Sequence, residues 1–218
     1  MFFDLRLIWQ NLPVFFDGAI TTSELSLLAM AFALVWGLAI ALARMAHFRP
    51  LSAAAGAYIE VVRNTPVLVQ MYFIYFGSGL AGFPLSGFVA GLIALSLQNG
   101  GYLAEIYRAG IQSISPKQVE GAKALGMTQL LVLRVVILPQ AMRRIIPPIS
   151  NQFVTIIKDT SLVSAISVAE LMHAATLITD RTAAAYETFA TLAIFYLVMT
   201  SIVAGLLRIT ERRLAIPQ

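Results

Sequence analysis

Uncharged apolar stretches separated by short charged ones set the pattern of this chain. Leu25–Ala43 (LSLLAMAFALVWGLAIALA) carries no charge and suits one membrane helix, which needs about 20 mostly apolar residues. Asn64–Ala104 is also free of charge and too long for one crossing; the Gly/Pro-rich break Gly77–Gly87 divides it in two. Thr188–Leu207 is another uncharged stretch of spanning length. Between Arg144 and Glu170 the chain is apolar apart from Lys158 and Asp159. This pattern predicts an all-α integral membrane protein of one domain, residues 1–218, with spans at about 21–44, 62–78, 86–108, 143–168 and 186–208 and a loop at about 113–139. Continuous apolar runs, rather than short alternating segments, speak against a β-barrel.

Composition agrees with the pattern. Of 218 residues, 59% are hydrophobic and 12% charged, against about 25% charged in an ordinary soluble domain. So little charge excludes disorder and coiled coil. The pI near 9.6 suggests a polyanion partner, but the basic residues are spread along the chain without an aromatic-interleaved patch, so no nucleic acid is expected. With no cysteine and only His47 and His173, neither a thiolate site nor a metal site is expected, and no cofactor is implied.

The basic residues also orient the chain. Arg44, Arg49, Arg63, Arg108, Lys117, Lys123, Arg134, Arg143, Arg144, Arg208, Arg212 and Arg213 fall on one side of five crossings, and only Arg6 and Arg181 on the other, twelve against two. The first set is expected in the cytoplasm, with the amino terminus outside and the tail inside. Met1–Gly18 carries Asp4 and Asp17 and lacks a continuous apolar core, so it does not read as a cleaved signal. Ala29, Ala33, Gly37 and Ala41 recur every four residues, and Gly87 with Gly91 forms a GxxxG; such stripes predict close packing between helices.

The loop Ser113–Arg144 reads SISPKQVEGAKALGMTQLLVLRVVILPQAMRR. Ser115 and Gln118 have capping-box spacing, Pro116 suits the first helical position, and Gly126 suits a left-handed end. A short helix Pro116–Leu125 is expected, with Val119, Ala122 and Leu125 on one face and Lys117, Glu120 and Lys123 on the other. It is suited equally to lie on the lipid surface or to dock into another protein. Gly121–Gly126 with Met127 and Thr128 nearly matches a phosphate loop, but Met127 stands where lysine is needed, so the chain itself is not expected to bind ATP.

This loop resembles the EAA loop of permease subunits of ABC importers, with Glu120, Ala122, Gly126, Leu138 and Pro139 at the family's spacing. Gly121 replaces the first alanine and Val136 an isoleucine. EVVRNTPVLVQ (Glu60–Gln70), YLAEIYRAGI (Tyr102–Ile111), LPQAMRRIIPP (Leu138–Pro148) and KDTSL (Lys158–Leu162) resemble the polar amino-acid permeases of the histidine/glutamate/glutamine/arginine type. The resemblance implies a type I ABC importer permease fold in a bacterial inner membrane. It also implies that Glu120, Gly121, Ala122, Gly126, Leu138 and Pro139 belong to the element that couples to a separate ABC ATPase subunit. Further implied partners are an external, periplasmic amino-acid-binding protein and a second permease copy, identical or paralogous.

Lys158 and Asp159 are the costliest chemistry in the sequence, since one charge at mid-membrane costs about 2.5–3.5 kcal/mol on insertion scales. Either they snorkel near the outer interface or they line a polar cavity that holds an amino acid in transit. In the second case Asp159 meets the substrate ammonium and Lys158 its carboxylate, or the two hold a helix break together. Thr160 and Ser161 add hydroxyls, and Gln152 lies two turns before Asp159. Pro147 and Pro148 are expected to interrupt this helix, and Asn99, with Gly100 and Gly101, adds a polar group in the third span or simply bonds between helices. Because Gln152 offers a neutral amide where a cation site would want a carboxylate, a neutral or acidic amino acid is favoured over arginine or lysine. Glu60 with Arg63 and Glu105 with Arg108 are i,i+3 pairs expected near the cytoplasmic face. The resemblance places Arg63–Pro66 at the cytoplasmic entrance of the second span. Glu170 and His173 are expected outside, after the fourth span, within reach of a binding protein. The rival classes are an ion-coupled secondary transporter or channel, which has no use for a capped cytoplasmic helix, and an intramembrane enzyme, for which no nucleophile–base pair is visible.

Overall fold

The computed structural model describes residues 5–214, with side chains as far as residue 209. Asp4 and the side chains of Arg212 and Arg213 lie outside the described residues. In chain order the helices are α1 (Leu5–Arg44), α2 (Arg49–Asn64), α3 (Val67–Leu80), α4 (Gly87–Gln112), α5 (Pro116–Ala124), α6 (Gln129–Val132), α7 (Leu138–Asp159), α8 (Leu171–Thr182) and α9 (Ala185–Leu214). A π-turn, Leu133–Ile137, joins α6 to α7, and a 3-10 segment, Thr160–Ile166, follows α7.

The expected spans fall largely on helical segments, but several ends move and two of them are not single helices. α1 begins sixteen residues before the expected boundary at 21 and runs through Pro13. Its polar residues Arg6, Gln10 and Asp17 face out, while Phe15 and Gly18 face α8, so the amphipathic start continues the apolar span. The fourth helical stretch starts at Gln129, not near 143. Pro147 and Pro148 do not interrupt α7, which continues through both. The irregularity lies instead at the π-turn, where the Leu138 N–H reaches back to Leu133 O just before Pro139, which has no N–H to donate. By length and composition, α1 and Ala185–Ile209 suit a full crossing among the described residues. Gln129–Ile166 with Leu171–Thr182, bent by 50°, makes a third, and α3 with 14 residues is shorter.

The segment expected at 62–78 is two helices. Pro66 pushes Thr65 into extended backbone (φ −111°, ψ 138°), which ends α2. The Gln70 side-chain amide then donates to Val62 O at 3.0 Å, Thr65 O at 3.1 Å and Thr65 Oγ1 at 2.9 Å, supplying donors to carbonyls that the break leaves open. Val62 packs on Gly101, near the middle of α4, so α2 ends at mid-depth of the bundle. Arg63, whose side chain also nears Gly101, therefore does not stand level with either end of α4. Nor do Glu60 and Arg63 pair: Glu60 accepts from Asn64 Nδ2 at 3.1 Å, and the Arg63 guanidinium stands 5.2 Å above the Tyr102 ring.

α4 is the central post, and its longest contact is with α1. Ala29, Ala33, Gly37 and Ala41 are all buried, so the stripe is internal packing. A methyl group on Gly37 would stand 2.8 Å from Leu103 Cβ and 2.9 Å from Gly100 O. Gly87 and Gly91 meet the 3-10 segment at Ile166 and Val163 in the same way. Trp36 Nε1 donates to the Tyr58 hydroxyl at 2.7 Å, which donates to Leu97 O at 2.6 Å, tying α1, α2 and α4.

Candidate translocation surface and coupling knob

α7 presents a polar face within this apolar bundle. Ile145, Ile156 and Ile157 are buried on one side, whereas Arg144, Asn151 and Lys158 are exposed at seven-residue intervals, with Thr155 partly exposed between them. Lipid offers no hydrogen-bond partner for such a face, so it suits water or another polar surface. Asn151 and Thr155 escape a reading that looks only for charges; the recurrence of polar side chains at 144, 151, 155 and 158 is the signal that finds them.

Lys158 is exposed and Asp159 half-buried, and the two form no ion pair. Arg108 forms a salt bridge to Glu105 at 2.5 Å, as expected from their spacing. The hydroxyls after Lys158 turn back on the chain: Thr160 donates to Ile157 O, Ser161 to Lys158 O and Ser164 to Ser161 O, each at 2.7 Å. These bonds match the tightening from α-helix to 3-10 at the Lys158–Asp159 position. Thr160 is fully buried and faces inward, so it does not share a surface with Lys158; Ser161 is partly exposed.

Gln152 and Asn99 are brought together. Gln152 Nε2 donates to Asn99 Oδ1 at 2.5 Å, and Asn99 Nδ2 to Leu95 O at 2.7 Å, with Asn99 1% exposed. The pair links α7 to α4 one to two turns below Lys158. Asn99→Leu should lower the melting temperature in detergent by the equivalent of about 1–3 kcal/mol, because it leaves the Gln152 amide unpaired. Asn99→Leu with Gln152→Leu should recover most of the loss; a double variant as unstable as the sum of the singles refutes the pairing.

A second polar surface lies where α1, α2 and α4 converge. Arg44, Gly56, Glu60, Glu105 and Arg108 line a cavity of about 340 Å³. Arg44 Nη1 donates to Ser52 Oγ at 2.9 Å, and Arg108 Nη1 to Gln112 Oε1 at 2.7 Å.

The expected short helix forms as α5, Pro116–Ala124. Its end is a Schellman arrangement: Gly126 is left-handed (φ +81°), Met127 N donates to Ala122 O at 3.2 Å and Gly126 N to Lys123 O at 2.9 Å. The capping box does not form, since Ser115 makes no side-chain cap bond and Gln118 N donates to its carbonyl at 3.0 Å instead. Nor do the three apolar residues share one fate: Ala122 is 7% exposed, while Leu125 stands 81% exposed at the tip. Glu120 and Gly121 are exposed beside it, and Leu138 and Pro139 start α7 behind it, also exposed. α5 packs against α6 and the π-turn, which continues into α7, so knob and polar face belong to one connected stretch. Nothing lies within 4 Å of a methyl group placed on Gly121, so Gly121→Ala should stabilise α5 by up to about 1 kcal/mol, read as a higher melting temperature; a lower one contradicts the open setting.

Glu170 does not offer its side chain to a binding protein, as the sequence suggested: it is fully buried and caps α8, accepting from Met172 N at 2.9 Å and His173 N at 2.8 Å. His173 is half-buried on the first turn of α8.

Residues 33–216 match the family described as binding-protein-dependent transport system inner membrane component. The chain is 38% identical over 218 residues to the glutamine transport system permease protein of Escherichia coli (strain K12), covering 99% of this chain and 100% of that one. It is 36% identical over 197 residues to the "Probable glutamine ABC transporter permease protein" of Bacillus subtilis (strain 168), covering 90% and 91%. A solved structure described as an "amino acid ABC transporter with histidines" superposes with a TM-score of 0.92 at 39% identity, covering 98% of this chain and 100% of the other.

Proposed function

Because this chain belongs to the family of binding-protein-dependent transport system inner membrane components, we propose that it forms half of the translocation path of an ATP-driven importer for a polar amino acid. Its fold is the all-α fold of a type I ABC importer permease. The observation that carries the reading is the polar face of α7, ending in Lys158 and Asp159, in a chain of apolar helices. One chain offers such a face and no opposite wall, so a second copy, identical or paralogous, completes the path. Five crossings put α5 in the cytoplasm, the amino terminus outside and the tail inside. ATP binding and hydrolysis take place on a separate subunit that grips α5, and an external binding protein delivers the substrate.

Within the path, Lys158 meets the substrate carboxylate and Asp159 its ammonium, with the Ser161 hydroxyl beside them. The Asn99–Gln152 pair below them is neutral and supplies no carboxylate for a cationic side chain. A neutral or acidic amino acid is therefore favoured, and glutamine leads because two relatives carry it in their names. The cavity of Arg44, Glu60, Glu105 and Arg108 provides a wet wall on the inner side. An ion-coupled carrier would keep the charged pair but leave α5 idle.

Reconstitution with the ATPase and binding protein tests the class. Hydrolysis should rise with L-glutamine or another neutral or acidic member of an amino-acid panel; stimulation by arginine alone overturns the preference. Lys158→Met should cut uptake at least about tenfold, the loss of one charge-assisted bond. Gln152→Glu should shift the panel toward cationic substrates, since Asn99 can turn its amide to serve the new carboxylate. Unchanged selectivity would count against placing Gln152 beside the substrate.

A further inference from the structure

Two positive and two negative side chains, Arg44, Arg108, Glu60 and Glu105, share one cavity of about 340 Å³, a volume in the range of small-molecule sites. They do not neutralise one another alike. Arg108 and Glu105 close on each other: Nε donates to Oε1 at 3.0 Å and Nη2 to Oε2 at 2.5 Å, while Nη1 is taken by Gln112 Oε1 at 2.7 Å. Arg44 and Glu60 stay open. Arg44 spends Nη1 on Ser52, and its Nε and Nη2 make no hydrogen bond among the described residues. Glu60 accepts from Asn64 at Oε2, which leaves Oε1 without a donor among them. Although both line the cavity, Arg44 and Glu60 form no ion pair with each other.

The arginine is held in place, unlike a charge that swings in water. Ser52 Oγ donates to Arg44 O at 2.7 Å and accepts from Arg44 Nη1 at 2.9 Å. Gly56 leaves room for the guanidinium, since a methyl group there would stand 3.3 Å from Nε. A fixed guanidinium edge with two free nitrogens suits a carboxylate or a phosphate, which it can meet with two parallel bonds. The free Glu60 oxygen suits an ammonium, which can only donate. A plain anion would also face the carboxylates, and a plain cation the guanidinium groups. A ligand carrying both charges satisfies both open residues.

We propose that this cavity binds a zwitterion in which a primary ammonium and an anionic carboxylate or phosphate lie close together, with Arg44 on the anion and Glu60 on the ammonium. A free α-amino acid and the headgroup of phosphatidylethanolamine share this chemistry. Arg44 is the last residue of α1, and Glu105 and Arg108 lie in the last two turns of α4, so the cavity stands where the helices end. It is built by α1, α2 and α4, apart from Lys158 and Asp159, and the proposal holds whichever residues meet the substrate in the path.

The chain has no cysteine, so Ala57→Cys, at an exposed lining position, gives it one thiol. The permease assembled with its ATPase, without ATP, is placed in nanodiscs of phosphatidylglycerol and labelled with a hydrophilic maleimide. In one arm glycine and L-glutamine are titrated; in the other, phosphatidylethanolamine replaces part of the phosphatidylglycerol. Labelling should slow in at least one arm, and the arm that responds identifies the source of the ligand. In that arm Glu60→Gln, which keeps an acceptor for Asn64, should raise the half-protecting amount about tenfold, the loss of one charge-assisted bond, with melting temperature unchanged. Arg44→Met should raise it at least as much. Asp17→Asn, at the other end of α1, should leave it as it was. Acetate and ethanolamine, each with one of the two charges, should protect at least about tenfold more weakly than glycine if the free amino acid is the ligand. Slowing in neither arm overturns the proposal while leaving the transport reading, tested by uptake, in place. Undiminished protection in Glu60→Gln overturns it too, as does acetate matching glycine, which would make the cavity a simple anion site.

Discussion

Gly37→Leu should leave almost no folded protein in the membrane. A side chain at position 37 would meet Leu103 Cβ at 2.8 Å, Gly100 O at 2.9 Å and Ala104 N at 3.2 Å. Two of these are backbone atoms of the central helix, which cannot swing away as a side chain tip can. Overpacking a tight core costs about 1–3 kcal/mol and more where nothing gives. Within a bilayer, helix association relies on close approach rather than on expulsion of water, so moving α1 off α4 removes the contact itself. With a total stability of about 5–15 kcal/mol to draw on, a leucine here should exceed what the fold tolerates. Gly37→Ala should be milder, and Gly205→Leu harmless, since position 205 is open on the outer face of α9. Membrane yield and detergent melting measure all three. Normal yield of Gly37→Leu would mean that α1 and α4 are not packed this way.

Leu125→Glu should separate folding from work. Leu125 is 81% exposed at the tip of α5, so the chain itself should melt as before. An exposed leucine that becomes buried in a groove of another subunit contributes about 1.5–3 kcal/mol, and a carboxylate in its place adds a desolvation cost. Co-purification with the ATPase and ATP-driven uptake should both fall by at least about tenfold. Glu120→Gln, nearer the rim of the same surface, should cost less. If uptake persists undiminished after Leu125→Glu, power does not enter the permease through α5.

Local features of this kind were legible without coordinates. The end of α5 follows from Gly126, because only the residues around one turn decide a left-handed cap. The small-residue stripe of α1 follows from a four-residue recurrence that puts one face against a neighbour. Other features were not. That α2 ends against the middle of α4 depends on Val62 meeting Gly101, a contact between segments far apart in the chain. The burial of Glu170 depends on Tyr196 supplying a partner from another helix; a carboxylate between two apolar segments otherwise reads as an exposed loop residue. Thr160 and Ser161 are neighbours of equal polarity, yet one is fully buried and the other partly exposed. Pro147 and Pro148 carry a strong local signal for interruption, and the helix nonetheless continues through them.

By itself, the sequence determined where apolar runs and charges alternate, hence the helices, the basic side and the capped knob, because each of these depends on residues within one or two turns. Only the tertiary structure decided which way each helix faces: that Gln152 meets Asn99, that Asn151 and Lys158 share an open face, and that Glu170 meets Tyr196. Rotation of a helix about its own axis changes no local hydrogen bond. It is fixed instead by the neighbours against which the helix packs, and those lie far away in the chain.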